Sequence, residues 1–165
     1  MNAIKSKLYK IDPFESYEPN FSSFDRSGWG LHGLFAYLIT RLTPKIIIEV
    51  GTWKGNSAIH MAEIASSLKL STEIVCVDTF TGSPEHWIQS HSQSFNDDRT
   101  FSDYYDDLKI TRGRPTLFEI FMNNCICAKV ANRITPFPVS SDTAWYVLNT
   151  LGVKAEVIYV DAGHE

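Results

Sequence analysis

Ile46-Ile47-Ile48-Glu49-Val50-Gly51-Thr52-Trp53-Lys54-Gly55-Asn56-Ser57 is the stretch whose reading decides the fold. A β-branched apolar run without alternation ends in an acid, as expected of a strand covered on both faces in a parallel sheet. Gly51 and Gly55 bracket a short turn. Asn56 or Ser57 can cap the helix that follows, with Ala58, Met61, Ala62, Ala65 and Leu68 as its buried side. Glu73-Ile74-Val75-Cys76-Val77-Asp78 is then a second strand ending in an acid. The first half therefore reads strand, turn, helix, strand, with a right-handed crossover expected.

Working outward, Ala155 to Asp161 is another buried strand ending in an acid, and Arg133 to Val139 is a short one whose Pro136 and Pro138 assign it to a sheet edge. Leu31, Leu34, Phe35, Leu38, Ile39 and Leu42 recur at helical spacing from Trp29, until Thr43-Pro44 ends the helix. Pro115 suits the first turn of a helix carrying Leu117, Phe118, Phe121, Met122, Cys125 and Ile126. Ser141 or Asp142 caps a last helix with Ala144, Trp145, Leu148 and Leu151, closed by Gly152. Alternating strands and helices give an α/β, Rossmann-like, mostly parallel sheet with flanking helices. Residues 1–165 read as one domain, with an irregular arm over 1–27 and a long insertion over 81–113. The arm offers Tyr9, Phe14, Tyr17, Phe21 and Phe24 as anchors. The aspartates at 97, 98, 103, 106 and 107 read as a solvated acidic face, and His86, Trp87 and His91 as surface loop residues.

The chain of 165 residues is 44% hydrophobic with a net charge of -4. That balance gives no reason to expect nucleic acid or an anionic membrane as a partner. No apolar run approaches the roughly 20 residues that span a bilayer, and the first residues show no apolar signal core, so the cytoplasm is the default. Cys76, Cys125 and Cys127 fit neither a disulfide framework nor a zinc site and read as reduced packing residues.

In open parallel sheets, ligands bind outside the C-terminal ends of the strands. Glu49, Asp78 and Asp161 all fall at such ends, which points to a single site. Gly51 and Gly55 let backbone and ligand approach closely, and a helix start favours negative charge nearby. Asp78 is placed to accept the two hydroxyls of a ribose. The spacing G-x-x-x-G differs from the G-x-G-x-x-G of a dinucleotide site, and Lys54 precedes Gly55 rather than following it as in a phosphate loop. Glu49 would repel a pyrophosphate and suits a cationic, nucleoside-containing cofactor.

Glu49-x-Gly51-x-x-x-Gly55, Asp78 at the second strand end, and the closing Val157-Ile158-Tyr159-Val160-Asp161-Ala162-Gly163-His164-Glu165 together resemble the class I S-adenosylmethionine (SAM)-dependent methyltransferases. The similarity is to the branch with Asp-x-x-His after the fourth strand, which includes sugar O-methyltransferases. Asp78 to Trp87 also resembles a segment of bacterial and phage members. The resemblance covers about residues 30 to 165. It implies that Gly51 and Gly55 line the methionine moiety, with Thr52, Asn56 and Ser57 among the cofactor contacts and Glu49 reaching the ammonium. It implies Asp78 on the ribose, Thr79 and Phe80 beside the adenine, and Ser141 near it. Asp161 would face the reaction centre and, in metal-dependent members, ligate Mg2+. His164 would be the general base for the acceptor, a role its ordinary pKa suits. Gly163 stands where several relatives carry a second acid.

Family members continue past Asp-x-x-His with further strands, so the resemblance implies a C-terminally truncated product or fragment, with strand 155–161 left as an open edge. A homo-oligomer would cover that edge. Asp161 alone cannot complete a magnesium site. The expectation is methyl transfer to a hydroxyl of a small molecule or sugar; the alternative is a non-catalytic SAM- or nucleoside-binding or interaction module. An NAD-dependent oxidoreductase is disfavoured by the glycine spacing.

Overall fold

A computed structural model describes residues 2–26, 33–88 and 105–162. Its centre is a four-stranded, all-parallel sheet of β1 (Ile46–Val50), β2 (Glu73–Val77), β3 (Ile134–Phe137) and β4 (Val157–Val160), in the order β3-β2-β1-β4. Ile48 lies opposite Val75 on one side and Ile158 on the other, so β1 is flanked on both sides. β3 takes an edge, where Pro136 is tolerated. β4 takes the other edge among the described strands.

Strand side chains alternate between faces, and each face has its own helices. Ile47, Ile74 and Cys76 point to the face covered by α2 (Gly33–Leu42), α3 (Asn56–Ser67) and α4 (Leu117–Cys127), through Phe35, Ile39, Ala58, Met61, Phe121 and Cys125. Val75, Val77 and Phe137 point to the opposite face, covered by α1 (Ala3–Leu8) and α5 (Ser141–Thr150) through Ile4, Ala144 and Leu148. Fully burying one such aliphatic side chain contributes about 1.5–3 kcal/mol. On this second face β4 leaves Ile158 and Val160 more than 60% exposed, at 63% and 64%. The three cysteines are free thiols, with Cys76 and Cys125 buried. No helix among the described residues is long and apolar enough to cross a membrane.

Several local expectations change. α2 buries Phe35 and Ile39 but leaves Leu34 and Leu42 exposed, and its expected start at Trp29 lies outside the described residues. Leu68 is not on the buried side of α3; it is the exposed C-cap. The cap of α3 is Gly55 in the left-handed region, because the side chains of Asn56 and Ser57 are committed to Arg26 and Glu49. α5 is capped by Ser140, whose hydroxyl accepts from the Thr143 amide, rather than by Ser141 or Asp142.

The arm is not irregular throughout. α1 is short, and Asn2 gives it no side-chain cap. The amides of Ile4 and Lys5 instead donate to the Glu73 carboxylate at 3.0 and 2.9 Å, and the Thr135 hydroxyl donates to the same group at 2.6 Å. Lys5 is buried, with its ammonium on Asp12, on the Ala131 carbonyl and over the Phe14 ring. Tyr9 donates to the Pro136 carbonyl, and Phe14 and Tyr17 pack on the core, while Phe21 and Phe24 stay exposed. Glu73→Ala is expected to cost about 2–4 kcal/mol, since it strands two buried amides and a hydroxyl. Urea unfolding should show a lower midpoint, and limited proteolysis should cut the arm first; an unchanged midpoint would count against this anchor.

Candidate functional site

Along the chain, β1, β2 and β3 step outward in one direction, and β4 then returns to the other side of β1. The switch point lies between β1 and β4, where open α/β sheets bind ligands. A cavity of about 360 Å³ sits there. Its walls are the strand ends Val50, Val77 and Asp161, the turn residues Gly51 and Trp53, Asp78 and Thr79, the segment from Gly82 to Pro84, and Val139 to Ser141. Among these lining residues are two carboxylates and no lysine or arginine.

The cavity's central carboxylate, Asp78, shapes the turn after β1. Its Oδ2 accepts from the amides of Thr52 and Trp53, both at 2.8 Å, and its Oδ1 accepts from the Phe80 amide at 2.6 Å. Each carboxylate oxygen has two lone-pair sites, so Oδ2 is fully used and Oδ1 keeps one. Trp53 and Phe80 adopt positive φ of 52° and 55° around this clasp. The consequence for Phe80 is a correction: its ring turns into the core against Phe118 and Phe121, away from the cavity. Thr79 and Ser141 do line the cavity.

The turn's glycines serve the protein's own packing. Gly51 has φ +86°, and a Cβ there would meet the Asp161 carbonyl and Ala162 amide at 2.4 and 2.5 Å. Gly55 has φ +87°, and a Cβ would meet the Phe121 ring at 2.7 Å. Gly55, Thr52, Asn56 and Ser57 are not among the cavity's lining residues.

Glu49 is fully buried behind the turn, on the face covered by α3. The Ser57 hydroxyl donates to its Oε1, while its Oε2 and the buried Thr52 Oγ1 make no hydrogen bond of full geometry among the described residues. Burial pushes the carboxyl up to about 8; the Ser57 and Thr52 hydroxyls pull it down, and the nearby charges of Asp161 and Asp78 push it further up. Glu49 is therefore mainly neutral at pH 7.

Lys54, a residue sequence reasoning assigned no role, is 1% exposed. Its ammonium bridges Asp25 of the arm at 2.8 Å and Asp107 of the insertion at 2.9 Å. Asn124 on α4 donates to the carbonyls of Lys54 and Asp25. Asp107 is thus an ion-pair partner and not part of a solvated face; the aspartates at 97, 98 and 103, and His91, lie outside the described residues. The insertion's two ends are built in: Leu108 is fully buried and packs where a Cβ on Gly82 would stand. His86 accepts from the Ser83 amide and stacks on Trp53 at 4.6 Å, and Trp87 donates to the Thr81 carbonyl. The Gly82-Ser83-Pro84 turn signal could have marked this wall in the sequence.

At the end of β4, the Asp161 amide donates to the Val50 carbonyl, and its Oδ2 accepts from the Tyr159 hydroxyl at 2.9 Å. Burial, then Asp161, pushes the Tyr159 hydroxyl up to about 12. No cluster of three or more metal-ligating side chains exists among the described residues. Asp161 without two further ligands does not fit a magnesium ion. Gly163, His164 and Glu165 lie outside the described residues.

The methyltransferase domain family matches residues 48–165. No curated protein matches the chain. Among solved structures, the cofactor-bound Rv0187 protein from MTB is similar at 15% identity and a TM-score of 0.49, over 86% of this chain and 48% of that one. A candidate O-methyltransferase from Klebsiella pneumoniae is similar at 16% identity and a TM-score of 0.47, over 96% of this chain and 57% of that one. The chain thus spans about half the length of either.

The burial of Glu49 has a pH signature. Its folded pKa lies above the unfolded one, so the native state holds the extra proton between them, and stability falls as pH rises from about 4.5 to about 8. The fall is at most about 5 kcal/mol. Glu49→Gln should flatten this decline in urea midpoints measured across that range; a variant with the wild-type slope would show that another group carries it.

Proposed function

The chain belongs to the methyltransferase domain family, and from that membership we propose that it binds SAM at the ends of β1, β2 and β4 and methylates a hydroxyl of a small molecule or sugar. The observation that carries this reading is the sign of the cavity. Asp78 and Asp161 line it with no lysine or arginine between them, which disfavours a pyrophosphate and suits a ligand with positive charge. When bound, the cofactor supplies an electrophilic methyl group on a sulfonium.

The chain's own residues bind and orient. Gly51 contributes backbone at the methionine end, with Thr52, Glu49, Asn56 and Ser57 supporting the turn from behind. The free lone pair of Asp78 Oδ1 takes a ribose hydroxyl, and Thr79 and Ser141 border the base. Holding donor and acceptor in line supplies much of the rate. His164, by its resemblance to the family's motif, removes the acceptor proton. No step is assigned to Mg2+.

A non-catalytic SAM- or nucleoside-binding module is the second reading. What supports it is that His164, the proton acceptor the family resemblance implies, is not among the described residues lining the cavity.

Calorimetry with SAM and S-adenosylhomocysteine tests the binding claim. Both should bind, and Asp78→Ala should weaken binding at least about tenfold. Failure of the folded protein to bind either would overturn the reading. Release of S-adenosylhomocysteine with hydroxylated acceptors, abolished in His164→Ala, supports catalysis; binding without any turnover favours the module.

A further inference from the structure

Glu49 is separated from the cavity by the turn it supports. It lines no part of the cavity surface, yet the charges of the two carboxylates that do, Asp78 and Asp161, act on it. Among the described residues, the polar and titratable groups that interact with it are Ser57 from α3, Thr52 from the turn, Cys76 from β2 with Asp78 at its end, Tyr159 and Asp161 from β4, and Cys125 from α4. None of these groups is a cation. One carboxyl oxygen and the adjacent Thr52 hydroxyl are buried and make no hydrogen bond of full geometry among the described residues. A buried carboxyl in an environment of negative charge holds its proton until positive charge arrives.

We propose that Glu49 makes the cavity select for ligands of net positive charge, by releasing its proton when such a ligand binds and retaining it when the ligand is neutral. This rests on the SAM reading and adds a residue that reads the ligand's charge without touching it. The pair SAM and S-adenosylhomocysteine differ by one methyl group and one positive charge. Before binding, Glu49 is neutral, because burial holds its carboxyl near 8. A cation between Asp78 and Asp161 screens the two charges that oppose its ionisation. Ionised Glu49 then adds a third negative charge behind the ligand. Loss of the ligand's charge reverses the sequence: Glu49 takes up a proton, and the attraction that held the ligand weakens.

The test counts protons by calorimetry of the full chain at about pH 7, in two buffers of different ionisation enthalpy, such as phosphate and Tris. SAM should release close to one proton per molecule bound, and its affinity should rise by up to about tenfold per pH unit below pH 8. S-adenosylhomocysteine should release few or none. Glu49→Gln should bind SAM without the proton. Equal counts for the two ligands would overturn this inference and leave the SAM reading standing. Undiminished release in Glu49→Gln would also overturn it, by assigning the proton elsewhere. If neither ligand binds, the SAM reading falls and this inference with it. Should the variant fail to fold, the wild-type difference between the ligands decides alone.

Discussion

The clasp of Asp78 on the turn after β1 is the interaction on which the rest of the site depends. One carboxylate gathers three amides, two from the turn and one from its own segment. Hydrogen bonds to a charged acceptor contribute about 1.5–3 kcal/mol each, enough to hold Trp53 and Phe80 at positive φ. The clasp ties the end of β2 to the exit of β1, and the turn it fixes lies against the end of β4. The cavity at the switch point is therefore formed before any ligand arrives. The same carboxylate is part of its wall.

Three of the buried ionisable side chains are accommodated in three ways. Lys54 is met by Asp25 and Asp107, and so joins the arm and the insertion to the turn. Glu73 is satisfied by the amides of α1 and the hydroxyl of Thr135. Glu49 meets the hydroxyls of Ser57 and Thr52 and no cation among the described residues, and burial pushes its carboxyl up to about 8. The contrast follows from desolvation: a buried charge persists where partners replace its water, and otherwise the group changes protonation.

The sheet was legible in the sequence because three of its four strands are apolar runs with an acid at or beside their ends, a pattern that depends on local composition. The cavity's position followed from those ends. What was not legible depends on partners far along the chain. α1 escaped because its cap is Glu73, not a neighbouring side chain. Ser57 looked like a cap and instead serves Glu49, and Asp107 looked solvated until Lys54 was found beneath it. Phe80 followed the family pattern, but a positive φ sends its ring into the core. His164 and the middle of the insertion lie outside the described residues, so the catalytic half of the expectation stands on the sequence alone.

The glycines that open the site carry an evolutionary consequence. The space where a Cβ on Gly51 would stand is filled by the backbone of Asp161 and Ala162, and that at Gly55 by the ring of Phe121. Selection for a folded chain alone would keep both positions glycine, whatever happened to ligand binding. A descendant that had lost its cofactor and become a scaffold or a decoy would still display the signature. The glycines therefore speak for the architecture, and evidence of an enzyme has to be sought in side chains that folding does not require.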